Sequence, residues 1–126
     1  MPRWVIHSRI AFDAYHALTS YQGEAEEAHE HRWEVAIRVG SDELKSEGYA
    51  LDFHEVHSLL SDAVAPLKNS DLNLHPEVGR STPSAERVAE VLAELLVPKL
   101  AAIGGELLMV SVWEGPENRV DLVLDE

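Results

Sequence analysis

The most constraining feature of this chain is a change of period. From Trp4 to Leu18 the even positions read Trp4, Ile6, Ser8, Ile10, Phe12, Ala14, His16 and Leu18, while His7, Arg9, Asp13 and Tyr15 fall between them. Alternation of this kind predicts a long strand with one buried face. "HRWEVAIRVG" repeats it, with Trp33, Val35, Ile37 and Val39 facing one way and Arg32, Glu34 and Arg38 the other. After the polar turn "GSDELKSEG" the period becomes helical: Val56, Leu59, Leu60, Ala63, Val64 and Leu67 fall on one helix face, with Asp52 as N-cap. "TPSAERVAEVLAELLVPKLAAIGG" predicts a second helix, capped by Thr82 with Pro83 at its first position and stopped by Gly104–Gly105. Its apolar stripe is Val88, Val91, Leu92, Leu95 and Leu96, and Pro98 is expected to kink or break it. "ELLMVSVWEG" and "RVDLVL" complete the pattern as two strands around the turn "GPEN". The order β-β-α-α-β-β over residues 1–126 predicts one α+β domain: a four-stranded antiparallel sheet with two helices on one face.

Composition removes several function classes. The chain of 126 residues contains no cysteine, so disulfides, thiolate metal sites and a cysteine nucleophile are excluded. A net charge of −13 argues against a nucleic-acid partner. No stretch approaches the length of a membrane span, and "PRWVIHSRIAF" lacks the apolar run of a signal peptide, so a cytoplasmic protein is the expectation.

The chemistry lies in the histidines, of which there are seven. His16 lies on the apolar phase near the end of the first strand, and His29 and His31 share the phase of Trp33 at the start of the second. Antiparallel pairing of the two strands would bring all three imidazoles to one spot. Three neutral histidines with an open fourth position suit a catalytic zinc ion. His7, His54, His57 and His75 show no such convergence. The connection between the strands carries "EAEEAHEH", a run of carboxylates that reads equally as a solvated acidic loop or as a base beside the metal.

The ordered set "FDAYHAL", "HEHRWEVAIRV", "LDFHEV", "LNLHP", "TPSAERVA" and "VSVWEG" resembles the 6-pyruvoyl-tetrahydropterin synthase and 6-carboxytetrahydropterin synthase family across nearly the whole chain. The resemblance implies a T-fold, with subunits closing into oligomeric barrels as homo-trimers or homo-hexamers. It implies zinc on His16, His29 and His31, with Glu30 in place of the family's glycine and pointing to the other strand face. It also implies a pterin-like substrate anchored by Glu114, where a carboxylate accepts two N–H groups of the amino-pyrimidine edge. Glu86 matches the acidic residue of the family's P-T-x-E motif. Two departures stand against the synthase reaction. Ala25 occupies the position of the family's catalytic cysteine, and Lys68 and Asn69 replace its Asp-His pair. One subgroup, resembling an aldolase that cleaves the pterin side chain, carries E-x-x-H-G-H; Glu26-Glu27-Ala28-His29-Glu30-His31 matches E-x-x-H-x-H. The expectation is therefore a zinc-dependent pterin lyase with Glu26 as proton carrier and Lys68 as positional heir of the family's Asp. The alternatives are a catalytically inactive zinc protein that binds a pterin or purine-like ring, and a metal-binding structural protein.

Overall fold

The computed structural model describes residues 3–16, 29–80 and 82–124, with His29 described by its backbone alone. Strand β1 (Trp4–His16) runs antiparallel to β2 (His29–Ser41). Helix α1 (Phe53–Val64) follows, then three short 3-10 turns, then helix α2 (Ala85–Ala101). Strands β3 (Glu106–Glu114) and β4 (Asn118–Val123) complete a four-stranded sheet of order β1-β2-β3-β4, antiparallel throughout.

The expected alternation is what sets the register. Trp33, Val35, Ile37 and Val39 of β2 are fully buried beneath the helices. A one-residue slip would turn all four to the opposite face, at about 1.5–3 kcal/mol each. That penalty of several kcal/mol locks Phe12 opposite Trp33, Ala14 opposite His31 and His16 opposite His29. On the other side of β2, Trp33 stands opposite Glu114. The far face of the sheet is charged: Arg9 pairs with Glu34, and the guanidinium groups of Arg9 and Arg119 lie 5.0 and 5.3 Å from the Trp113 ring.

Helix α1 begins as expected, with the Asp52 carboxylate accepting the His54 N–H at 2.9 Å. Helix α2 differs from expectation at three points. Its cap is Ser84, whose hydroxyl accepts the Arg87 N–H at 3.2 Å, so Thr82 and Pro83 lie outside the helix. Pro98 neither breaks nor ends it. The ring sits on the exposed face one turn from the end, where the freed Glu94 carbonyl can be hydrated, and buried Leu96 and Leu100 hold the last turn in place. Leu95 is 40% exposed and lies off the stripe, whose buried members are Val88, Val91, Leu92, Leu96 and Leu100. Gly105 follows the helix where a Cβ would meet Val39 Cγ1 at 2.6 Å, so only glycine lets the chain pass this close to the sheet.

The connection after α1 folds back onto the outer edge of β1. The Asn69 N–H donates to the Asp13 carbonyl at 2.7 Å, and the Tyr15 N–H donates to the Ser70 carbonyl at 2.9 Å. Asn69 has φ +55°, a left-handed conformation that asparagine tolerates better than most residues. The half of the β1 edge nearest His16 is thus covered by the chain itself.

Candidate metal and ligand site

Strand ends build the site. His16 is the last residue of β1, His31 the third of β2 and Glu114 the last of β3. The register places them at one end of the sheet, on the face that carries the core.

His16 is 1% exposed. Its Nδ1 lies 2.9 Å from the Pro83 carbonyl, which only accepts, so Nδ1 carries the proton and donates. Nε2 is left with its lone pair, and it lies 3.0 Å from Glu114 Oε2. His31 Nε2 lies 3.2 Å from the same oxygen. The two imidazole rings meet edge to face, 5.2 Å between centroids.

The neutral His16 ring would thus turn a lone pair toward a carboxylate oxygen. Two acceptors at that distance need a cation between them, either a proton or a metal ion. One ligating atom from each of His16, His31 and Glu114 lies within 4.8 Å of the others. A histidine whose second nitrogen donates to a backbone carbonyl is also the usual form of a metal-bound imidazole. The donor set fits a divalent ion such as zinc.

Two features of the site were not visible in residue types. The Pro83 contact is made by a backbone carbonyl, which leaves no mark in sequence. Trp33, on the expected strand face, packs edge to face on His16 at 5.0 Å. Among the described residues its buried indole N–H finds no hydrogen-bond partner, at a cost of about 1–3 kcal/mol.

Beside the histidines a cavity of about 300 Å³ opens between the start of α2 and strand β4, lined by Ser84, Glu86, Glu114, Asn118 and Arg119 among others. Glu86, in the first turn of α2, therefore shares a cavity with Glu114. Glu114, part-exposed, faces both the imidazoles and this space. Lys68 is exposed, just before the segment that pairs with β1. Glu26 and the His29 side chain lie outside the described residues. A larger groove of about 560 Å³ lies between β1 and α1, where His57 Nδ1 stands 3.0 Å from Ser8 Oγ; it is eight residues along β1 from His16. His75 caps a turn, its Nδ1 accepting the Glu77 and Val78 N–H groups at 3.1 Å each.

Comparison with known proteins agrees with this architecture. The chain is 28% identical to 6-carboxy-5,6,7,8-tetrahydropterin synthase from Synechocystis over 89 residues, 68% of this chain and 69% of the relative. Its fold matches 6-pyruvoyl tetrahydropterin synthase from Caenorhabditis elegans with a TM-score of 0.81 at 17% identity, covering 98% of this chain and 96% of the other. It also matches 6-pyruvoyltetrahydropterin synthase from Plasmodium vivax, in a variant whose catalytic glutamate is replaced by alanine, with a TM-score of 0.75 at 13% identity and full coverage of both chains. The model of the 6-pyruvoyl tetrahydropterin synthase family matches residues 5–123, and the chain belongs to that family.

Proposed function

We propose that this protein is a zinc-dependent lyase acting on a reduced pterin, with His16, His29 and His31 holding the metal and Glu114 anchoring the ring. The observation that carries the reading is the meeting of His16 Nε2, His31 Nε2 and the Glu114 carboxylate at the mouth of a cavity large enough for a bicyclic ring. Zinc would supply polarisation of an oxygen on the ligand's side chain. Pro83 fixes the tautomer of His16, and buried Trp33 excludes water from one side of the imidazole. Glu114 receives the amino-pyrimidine edge, and Glu86 stands across the same cavity.

The proton carrier in this reading is Glu26. The chain has no cysteine, Ala25 cannot move a proton, and Glu26 lies three residues before a proposed ligand. The glutamate of the Plasmodium vivax protein shows that a family fold with a catalytic carboxylate exists. Side-chain cleavage of a dihydropterin, an aldolase-like reaction, is the chemistry that suits such a base. Lys68 is the candidate for the acid role once held by the family's Asp. Product analysis with 7,8-dihydroneopterin tests the assignment: the parent protein turns it over, and Glu26→Ala lowers the rate about a hundred-fold or more while zinc content stays intact.

The second reading is a ring-binding protein without catalysis. It is favoured by Asn69, which stands where the family has a histidine and holds a left-handed turn against β1. Pterin binding by fluorescence with no product formed would select it.

The same reading includes assembly through sheet edges. Outer strands β1 and β4 expose Trp4, Val5 and Val123, and such edges invite pairing with another copy. Because residues 69–71 cover β1 near Asp13 and Tyr15, joining would use its N-terminal half. Sedimentation is expected to show a trimer or hexamer; a monomer across the micromolar range would contradict it.

A further inference from the structure

We propose that Glu114 serves two ligands in turn: it ligates the metal while the ring is absent, and ring binding draws it away. The inference rests on the metal-and-pterin reading above and adds a competition to it.

The geometry carries the first half. With Zn–N and Zn–O distances of about 2.0–2.2 Å, neighbouring donors of a tetrahedral ion stand roughly 3.3 Å apart. Glu114 Oε2 lies 3.0 Å from His16 Nε2 and 3.2 Å from His31 Nε2, within a few tenths of an ångström of that edge. Both imidazole nitrogens thus stand at near-ligand spacing from one carboxylate oxygen, and the three atoms lie within 4.8 Å of one another. The His16 corner is held by Pro83. The Glu114 backbone is held by its pairing with Trp33 and by the next residue, whose N–H donates to the Arg32 carbonyl at 2.9 Å.

The second half follows from the same side chain's other exposure. Glu114 also lines the cavity with Glu86 and Asn118. An in-plane contact with two ring N–H donors needs both carboxylate oxygens. An oxygen given fully to a ring donor is a poorer metal ligand, so ring and metal contend for one group. Linkage then requires the effect to be mutual: if the ring weakens metal binding, the metal weakens ring binding by the same factor.

A ring anchor that lies outside the coordination shell would leave the cobalt(II) bands indifferent both to Glu114→Gln and to an added ring, even where it changes metal affinity. The test uses zinc alone, in competition with a chromophoric chelator, on the parent protein, Glu114→Gln and Glu114→Asp. The proposal predicts that Glu114→Gln holds zinc about ten- to a hundred-fold more weakly. Glu114→Asp keeps the charge and is expected to lose less. It also guards against a folding defect in the amide variant, which circular dichroism reports directly. Cobalt(II) supplies the second readout. Its visible absorption bands are expected to move when unsubstituted pterin, which has the ring edge but no side chain, is added to the parent protein. Zinc affinity and cobalt bands in a folded Glu114→Gln that match the parent would overturn this inference and leave the metal site standing. A parent protein that binds no zinc would overturn both.

Discussion

Strand β1 carries two groups of histidine surroundings, one at each end, and they differ in every respect that matters to chemistry. At its N-terminal half, His7 with His54 and His57 of α1 lines an open groove; these imidazoles are exposed, and His57 meets a serine hydroxyl. At its C-terminal end, His16 is buried, oriented by a backbone carbonyl, packed against Trp33 and set facing a carboxylate shared with His31. The first group is open to water. In the second, the Pro83 carbonyl fixes the His16 ring with Nε2 toward Glu114. A fixed tautomer and a carboxylate at ligating distance from two imidazoles set the second group apart from the first.

The comparison can be broken by substitution. The largest effect is expected for His16→Ala, which removes one donor and leaves the Pro83 carbonyl without its partner. Metal analysis of the purified variant is expected to show most of the zinc gone, with stability lower by about 1–3 kcal/mol. A smaller loss is expected for Glu114→Gln in ring binding, measured by pterin fluorescence at saturating zinc. Turning an acceptor into a donor there costs about 1.5–3 kcal/mol, roughly ten- to a hundred-fold in affinity. Unchanged binding would place the anchor elsewhere. The smallest effect is expected for His57→Ala in the exposed groove. Zinc content is expected to stay the same, and denaturant unfolding to move by about 0.5 kcal/mol or less. Loss of metal from that variant would erase the distinction between the two ends.

Much of this arrangement was legible in the chain. The alternation of β1 and β2 gave the phase of His16 and His31, because burying Trp33, Val35 and Ile37 admits one register. The period change located both helices, and Asp52 caps the first as its sequence implies. What was not legible depends on contacts between distant segments. The cap of α2 moves from Thr82 to Ser84. Pro98 is tolerated because its ring faces outward over a last turn held by Leu96 and Leu100. The meeting of Glu114 with the imidazoles needs the pairing of β3 with β2, which strand periodicity does not specify. The reach of Pro83 to His16 spans 67 residues and involves no side chain of its own.

The central claim is that the buried end of β1 is a metal centre, and zinc titration of the metal-stripped protein, followed by thermal unfolding, tests it most directly. One zinc per subunit is expected to bind. At a hundred-fold excess over its dissociation constant it stabilises by about 2.7 kcal/mol, a rise of several degrees in Tm. The rise is expected to be absent in His16→Ala and retained in His57→Ala. A parent protein that takes up no zinc, and whose Tm does not move when zinc is added, would contradict the account.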